Sequence, residues 1–240
     1  EQKKIYAELE VCFSAHLNDS HCNAKTALEA SLRLRQCCSG IFVDSNTKTT
    51  KQLHSNKLEL LKEVIEDIPG EQFIVWTEFV ASYNHIKEVL NLTNIRWGEM
   101  IGGQNLTTRQ KHIDAFQRGE LRALVANPKA GGVGVNLQAA SAMIYFSRGY
   151  SLEDDMQSEA RAYRGGSEQH KRILRIDLVT ENTIEEDIIE ALNKKFSAQE
   201  LLLTWKGKYG ASDGNIKRVI ESDVGFVNKG ANSALRTGTC

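Results

Sequence analysis

Apolar residues recur every three or four positions over the first 39 residues, the spacing that places side chains on one face of a helix. This spacing predicts two helices, in IYAELEVCFSAHL and AKTALEASLRLRQC, separated by the polar loop NDSHCN. Gly40 follows the second helix and is expected to end it. The next stretch, DSNTKTTKQLHSN, is polar and lacks periodicity, which predicts a loop or a small hairpin.

From Lys57 onward, short apolar runs alternate with longer amphipathic stretches. The apolar runs predict strands in QFIVWTEF, IRWGEMIGG, LRALVAN, AMIYFS and KRILRIDLVT. The amphipathic stretches predict helices in KLELLKEVIEDI, ASYNHIKEVLNL, TTRQKHIDAFQRG, LEDDMQSEARAYR and TIEEDIIEALNKKFSAQELLL. Strands that alternate with helices are typical of an α/β fold, with an open, mostly parallel sheet and helices on both faces.

These patterns divide the chain into three parts. We expect N-terminal helices at 1–40, the α/β lobe at 41–208 and a loosely ordered, glycine-rich tail at 209–240. The composition is that of an ordinary globular protein, with 41% hydrophobic and 25% charged residues. No apolar run is long enough to span a bilayer. The chain begins with Glu1 and no signal-peptide pattern follows, so we expect a piece of a longer protein.

Charge and cysteine content limit the possible functions. The formal net charge is −1, so any binding of nucleic acid must rest on a local patch rather than on bulk charge. An odd number of irregularly spaced cysteines favours a reducing compartment and a cytoplasmic protein. Together with His16 and His21, the cysteines suggest a zinc cluster, but the spacing typical of zinc sites is absent. Buried thiols are therefore favoured over a zinc site. The cysteines are Cys12, Cys22, Cys37, Cys38 and Cys240.

The helix LEDDMQSEARAYR carries a polar face that no apolar packing explains. Gln157, Arg161 and Arg164 stand at offsets of four and seven residues, which places them on one side of the helix. The planar fork of arginine suits phosphate oxygens and can stabilise charge that develops during phosphoryl transfer. A basic helix face is more often simply solvated, so this pattern alone leaves both interpretations open.

A glycine-rich loop, ANPKAGGVGVNLQAA, follows the strand LRALV directly. Its glycines allow the backbone to approach a ligand closely, and exposed backbone amides can form a nest for phosphate. An ordinary turn is an equally good interpretation. A Walker A sequence, GxxxxGK[ST], occurs nowhere in the chain, and no acidic DExx strand end is evident. The usual motifs that bind ATP phosphates and Mg²⁺ are therefore missing.

Five segments, taken in order, resemble the second RecA-like lobe of superfamily-2 helicases, and more narrowly the Swi/Snf-like DNA-dependent ATPases. They are QFIVWTEF, IGGQNLTTRQKHIDAFQRG, LVANPKAGGVGVNLQAASAMIYFS, LEDDMQSEARAYRGGSEQ and LVTENTIEEDI. The similarity covers residues 25 to 195 and is greater to compact bacterial and phage members than to large chromatin remodellers. It implies a RecA-like sheet in a protein of the cytoplasm of a bacterial or phage-infected cell.

The resemblance implies a nucleotide site shared with another domain. Arg161 and Arg164 match the arginine fingers of motif VI, which reach ATP across a cleft, and Gln157 matches the glutamine that opens this motif. The absent N-terminal lobe would hold ATP and Mg²⁺. Motif V, which lines the same cleft and senses nucleotide, is matched by Gly132, Gly134 and Asn136.

The resemblance also implies contacts with the sugar-phosphate backbone of double-stranded DNA. Asn127 and Lys129 match positions that touch this backbone, and Thr77 and Gly103 fall in loops that face it. Contacts of this kind position a duplex without reading its sequence. The implied activity is that of a DNA-dependent ATPase or helicase, and the fragment alone is expected to be inactive.

Two departures from the family pattern keep a rival hypothesis open. The family's RIGQ is replaced by Arg164-Gly165-Gly166-Ser167, where two glycines favour an early end to the helix, and its WNP-like segment is replaced by Gly149-Tyr150-Ser151-Leu152. A degenerate, non-catalytic lobe that docks DNA or protein is the alternative, because fold does not imply function. A small-molecule phosphate-binding enzyme is a more distant third, since no general base accompanies the loop.

The remaining notable residues have structural explanations. Arg109 and Phe116 match family positions, with expected roles in packing and pairing. Tryptophans can stack on bases, but burial is the better expectation for Trp76, Trp97 and Trp205. Structural or surface roles are expected for His85, His112 and His170, and helix-capping positions for Glu185 and Glu186.

Overall fold

The computed structural model describes residues 1–68, 70–130, 135–163, 170 and 173–194, and the backbone of 233–238. The helices are α1 (Gln2–Cys12), α2 (Ala27–Cys38), α3 (Asn56–Asp67), α4 (Ser82–Leu92), α5 (Leu106–Gln117), α6 (Leu152–Ala162) and α7 (Ile184–Asn193). The strands are β1 (Ser14–Leu17), β2 (Ser20–Asn23), β3 (Ile41–Val43), β4 (Thr50–Gln52), β5 (Phe73–Trp76), β6 (Trp97–Met100), β7 (Ala123–Ala126), β8 (Ala142–Tyr145), β9 (Leu174–Thr180) and β10 (Ser233–Gly238).

The main sheet is parallel throughout, with the order β10-β9-β8-β5-β7-β6. The central strand β5 pairs with β7 and β8, so that Trp76 lies beside Ala126 and Tyr145 at the carboxyl edge of the sheet. All residues of these three strands are buried, as expected for parallel strands covered on both faces. The predicted RecA-like α/β fold is confirmed.

Helices cover the two faces of this sheet and close two apolar cores. On one face, α3 and α4 pack against side chains that include Val75 and Ile144. On the other face, Trp76, Phe116 and Leu137 are fully buried in a second core that α5 and the end of α6 complete. Burial of Trp76 and packing of Phe116 are as predicted.

The N-terminal segment differs from the prediction of two helices joined by a loop. The first helix ends at Cys12, and β1 and β2 form an antiparallel hairpin around Asn18 and Asp19. Asn18 has a φ of 52°, a left-handed conformation that asparagine tolerates well and that a two-residue hairpin turn requires. The hairpin forms because Ala15 and Leu17 are buried at alternate positions. This is the period of a strand, and the prediction of a helix did not recognise it.

The N-terminal segment shares its core with the rest of the chain. Side chains of α1, the hairpin and α2 pack with Ile184, Ile188 and Leu192 of α7. The phenolic oxygen of Tyr6 accepts a hydrogen bond from the backbone amide of Ile184 at 2.7 Å. The segment after residue 43 was predicted as a loop or a small hairpin. It contains the turn and the second strand of the β3–β4 hairpin. The domain boundary at residue 40 stays a prediction.

Burial of thiols on helices, as predicted, holds for Cys37 and Cys38 but not for Cys12, and the buried Cys22 lies on β2. Cys22, Cys37 and Cys38 are almost inaccessible, whereas Cys12 is exposed. Burial raises the pKa of the Cys22 thiol and raises that of Cys38 well above its ordinary value. Within the described ranges, no group of three histidine, cysteine or acidic side chains is arranged to hold a metal ion.

The tail is described only at 233–238, where the backbone forms β10 parallel to β9. The loosely ordered tail at 209–240 otherwise falls outside the described residues, as does Trp205. The helices of the described residues are all too short or too polar to cross a membrane.

Candidate functional site

The loops that follow β5, β7 and β8 are joined by hydrogen bonds at the carboxyl edge of the sheet. The hydroxyl oxygens of Thr77 and Ser147 lie 3.0 Å apart, and the Ser147 hydroxyl also accepts a bond from the backbone amide of Glu78 at 2.9 Å. The amide of Thr77 donates to the carbonyl oxygen of Ala126 at 3.0 Å. Thr77 is fully buried, so its side chain holds loops together and does not reach a DNA phosphate in this conformation.

The loop after β7 is shaped by Asn127 and presents a lysine to solvent. The Asn127 side-chain amide donates to the carbonyl oxygen of Glu78 at 3.0 Å, and its oxygen accepts the backbone amide of Lys129 at 2.8 Å. The Lys129 side chain is 64% exposed, with its ammonium 3.7 Å from a carboxylate oxygen of Asp154. Asn127 therefore fixes the loop, and Lys129 is the exposed cation.

Arg109 of α5 joins the loop after β6 to the loop after β7. Its guanidinium donates to the carbonyl oxygen of Ala130 at 2.7 Å and to that of Ile101 at 3.0 Å. The pairing role predicted for Arg109 is confirmed. Gly103, in the loop after β6, is exposed and has a φ of 76°, a left-handed conformation that favours glycine.

The same helix also holds the second half of the glycine-rich loop. The side-chain amide of Gln117 donates to the carbonyl oxygen of Asn136 at 2.9 Å, and its oxygen accepts the backbone amide of Ala139 at 3.0 Å. The Asn136 side chain donates to Gln138 at 2.7 Å. Both flanks of the loop are thus bound to α5. No sequence motif marked Gln117, since a polar residue at a helix end is ordinary.

Arg161 and Gln157 lie on the same helix but in different environments. Arg161 is 4% exposed, and its guanidinium carbon lies 5.7 Å from the ring centroid of Trp76, the residue before Thr77. The carbonyl oxygen of Arg161 accepts the amide of Leu137 at 2.9 Å, which joins α6 to the second half of the glycine-rich loop. Gln157 is exposed and donates to Glu153 at 3.0 Å.

Three of the residues predicted for the nucleotide site lie outside the described residues. They are Gly132, Gly134 and Arg164. The early end to the helix expected from the double glycine is consistent with α6, which ends at Ala162.

A partly buried charge network holds α6 to the sheet, and the sequence analysis did not predict it. Arg148, just after β8, donates to Asp177 of β9 at 2.9 Å and pairs with Asp155 of α6. Arg175 of β9 donates to Asp177 at 3.1 Å and pairs with a second α6 carboxylate, Glu159. The signal was absent because the network joins side chains of separate elements and no motif links them. The network holds the helix that carries Arg161.

An aromatic ring lies beneath the two arginines of this network. Their guanidinium carbons lie 4.5 Å (Arg148) and 5.1 Å (Arg175) from the ring centroid of Tyr145, within cation–π range. The phenolic oxygen of Tyr145 lies 2.8 Å from the hydroxyl of Ser158 on α6. Burial raises the pKa of Tyr145 to about 12, so the phenol stays protonated at neutral pH.

Gly149, one of the departures from the family pattern, has a steric explanation. A β-carbon at this position would lie 3.0 Å from a carboxylate oxygen of Glu78. Glu78 is paired with Arg35 of α2, whose guanidinium carbon lies 4.8 Å from the ring centroid of Tyr150. The glycine therefore leaves room for a carboxylate that links the N-terminal segment to the loop after β5.

The residues at the carboxyl edge of the sheet lie in a segment that matches a known protein family. Residues 56–166 match the helicase conserved C-terminal domain. The ATP-dependent helicase fft2 of Schizosaccharomyces pombe is 30% identical over 203 residues, which are 83% of this chain and 15% of that protein. YwqA of Bacillus subtilis is 29% identical over 213 residues, 85% of this chain and 23% of that protein.

A solved structure is also similar to this chain. The crystal structure of the C-terminal part of the Fun30 ATPase domain aligns with a TM-score of 0.52 and 28% identity, over 58% of this chain and 47% of that one. The chain spans less than a quarter of the length of fft2 and of YwqA. The narrower bacterial or phage type is not confirmed, because eukaryotic and bacterial proteins are both among the relatives. Residues 56–166 are a helicase C-terminal domain, built on a RecA-like sheet and similar to that of Swi/Snf-like ATP-dependent helicases.

Proposed function

We propose that this chain is the C-terminal motor lobe of a DNA-dependent ATPase that moves along double-stranded DNA. The observation that carries the proposal is the position of Arg161, whose guanidinium lies over Trp76 at the end of β5. The predicted nucleotide residue Arg161 thereby lies under the same sheet edge that bears the predicted DNA residues Asn127 and Lys129. Physical contacts between two sites can carry the coupling between their ligands, and these connected loops provide such contacts.

The nucleotide would be held mainly by an N-terminal lobe of the same protein. When bound there, Mg-ATP would supply the phosphoryl group for transfer to water, and this chain would supply Arg161 and Arg164 as arginine fingers. The Arg161 side chain is 4% exposed in this structure, so it would reach a phosphate only when the cleft between the lobes closes. Arginine suits the role of a finger because its guanidinium binds phosphate oxygens in a planar, two-point geometry. Gly132, Gly134, Asn136 and Gln157 would line the same cleft. The network around Arg148 and Arg175 would keep α6 in place when the lobes close.

The DNA backbone would contact the exposed parts of the edge. Lys129 supplies an accessible charge, and Gly103 leaves open space for a phosphate to approach. Thr77 and Asn127 would act by fixing the loops, because both side chains are occupied by protein partners. Contacts of this kind bind duplex DNA of any sequence.

The test is the ATPase activity of the full-length protein, with and without double-stranded DNA. An arginine finger contributes about 10³- to 10⁵-fold to turnover in well-studied phosphoryl-transfer enzymes, so Arg164→Ala should nearly abolish hydrolysis while the domain stays folded. Arg118→Ala, an exposed arginine on the same lobe, is the matched control. The present chain alone should bind ATP weakly and hydrolyse essentially none.

The same experiment addresses the non-catalytic alternative. DNA binding without DNA-stimulated turnover in the wild-type protein would replace the motor with a docking module. A loss of folding along with activity in Arg164→Ala would remove the assignment of the finger.

A further inference from the structure

The hairpin of β1 and β2 places two histidines directly opposite each other. His16 and His21 are cross-strand partners in the register, and their ring centroids lie 4.5 Å apart at an interplanar angle of 33°. His16 is exposed and His21 is partly exposed. The two side chains project from the face opposite the buried Ala15 and Cys22, because successive strand residues alternate between faces. The imidazoles therefore meet in a place that solvent reaches.

The backbone around this pair fixes its geometry. The amide of His16 donates to a carboxylate oxygen of Glu8 at 3.3 Å, and the amide of His21 donates to one of Asp44 at 3.1 Å. Both amides therefore point away from the hairpin, which makes this a non-hydrogen-bonded pair. In such pairs opposite side chains approach most closely. The backbone of each histidine is anchored outside the hairpin, so the rings are brought together before any ligand arrives.

We propose that His16 and His21 form a two-histidine site for a divalent transition-metal ion of the Zn²⁺, Ni²⁺ and Cu²⁺ class. Neutral imidazole nitrogen is a preferred ligand of these ions, and a chelating pair held on one rigid hairpin loses little freedom on binding. The anchoring carboxylates of Glu8 and Asp44 add negative charge nearby. No third ligand of the described residues completes the site, so water or an external donor takes the remaining coordination positions.

Metal binding would stabilise the hairpin that packs against α7 through the N-terminal core. A ligand that binds only the folded form raises the melting temperature in proportion to the logarithm of its concentration. In the part of the chain that the structure describes, His16 and His21 are the histidines whose rings meet, so the proposal concerns this pair. The site is independent of the motor function, and either can fail without the other.

The test is titration of the 240-residue chain with Ni²⁺ by calorimetry at neutral pH, with the melting temperature measured in parallel. One equivalent should bind to the wild type, and His16→Asn and His21→Asn should each weaken binding at least tenfold. His54→Asn, a change at another exposed histidine, and Cys12→Ser, which removes the exposed thiol, should leave affinity within twofold. Acidification should weaken binding because metal-bound imidazole must be neutral.

Each outcome bears on the proposal. Equal Ni²⁺ affinity in the wild type and in the double variant His16→Asn/His21→Asn would overturn it and leave the rings as a stacked pair. Loss of binding in Cys12→Ser alone would move the site to the thiol and would also overturn it. Circular dichroism of each variant separates loss of the ligand from loss of the fold.

Discussion

The guanidinium of Arg109 donates a hydrogen bond to the carbonyl oxygen of Ala130 at 2.7 Å, and its second nitrogen reaches the carbonyl oxygen of Ile101 at 3.0 Å. One side chain thus joins the loops that leave two neighbouring strands, β6 and β7. Gln117, two turns further along the same helix, holds the second half of the glycine-rich loop. Helix α5 therefore works as a clamp on the chain at Ala130 and at Asn136.

Arg109→Lys should loosen this clamp. A lysine ammonium is a compact charge and cannot span two separate acceptors as the guanidinium fork does. We expect a loss of about 1.5–3 kcal/mol in the free energy of unfolding, the value of a hydrogen bond to a charged group. Urea denaturation of the chain measures it. Arg118→Lys, at an exposed ion pair with Glu120, should leave the denaturation midpoint nearly unchanged. Equal effects of the two substitutions would remove the special role of Arg109.

Lys57→Met should destabilise the fold strongly. The Lys57 ammonium lies 2.6 Å from the carboxylate of Glu185, and both side chains are buried. Removing one partner leaves a buried charge without compensation, which costs about 3–5 kcal/mol. The double variant Lys57→Met/Glu185→Leu should recover part of this loss, because no lone charge remains.

The matched control is Lys62→Met on the same helix. Lys62 forms an exposed pair with Glu66 at a spacing of four residues, and such pairs contribute about 0.3–0.5 kcal/mol. A loss in Lys57→Met no larger than in Lys62→Met would show that the buried pair contributes little.

Lys129→Ala should weaken DNA binding and reduce its dependence on salt. One phosphate contact contributes about 0.9 to the slope of the logarithm of affinity against the logarithm of salt concentration for duplex DNA. Fluorescence anisotropy of the full-length protein with duplexes of two unrelated sequences should give this reduction for both. Lys62→Ala, on a helix at one face of the sheet, should leave the slope unchanged. An unchanged slope in Lys129→Ala would exclude Lys129 from the interface.

Asp44→Asn should reduce the loss of stability in acid. The backbone amides of Thr47, His21 and Asn46 donate to the Asp44 carboxylate and hold its pKa well below its ordinary value. A lowered folded-state pKa means that this contribution is complete above the unfolded value of about 3.9 and is lost as pH falls below it. The melting temperature should fall less between about pH 5 and about pH 3 in Asp44→Asn than in the wild type. Parallel curves for the two proteins would contradict this.

The sequence by itself determined the order and type of the elements in the α/β lobe. Strands such as FIVW and ALVA are apolar throughout because helices cover both faces of a parallel sheet, and that pattern is local. The order of the motifs indicated the helicase C-terminal domain for the same reason, since each motif is a continuous stretch. The N-terminal hairpin was missed because its strands are only four residues long, too short for periodicity to separate strand from helix.

Only the tertiary structure decided which predicted side chains are accessible. Thr77 and Lys129 occupy loops at the same edge, yet one is buried against Ser147 and the other is exposed. The network of Arg148 and Arg175 and the clamp of Arg109 join residues of different strands, helices and loops, so no local pattern encodes them. Hydrogen bonds and ion pairs depend on distance in space, and that distance is set by packing of the sheet and its helices.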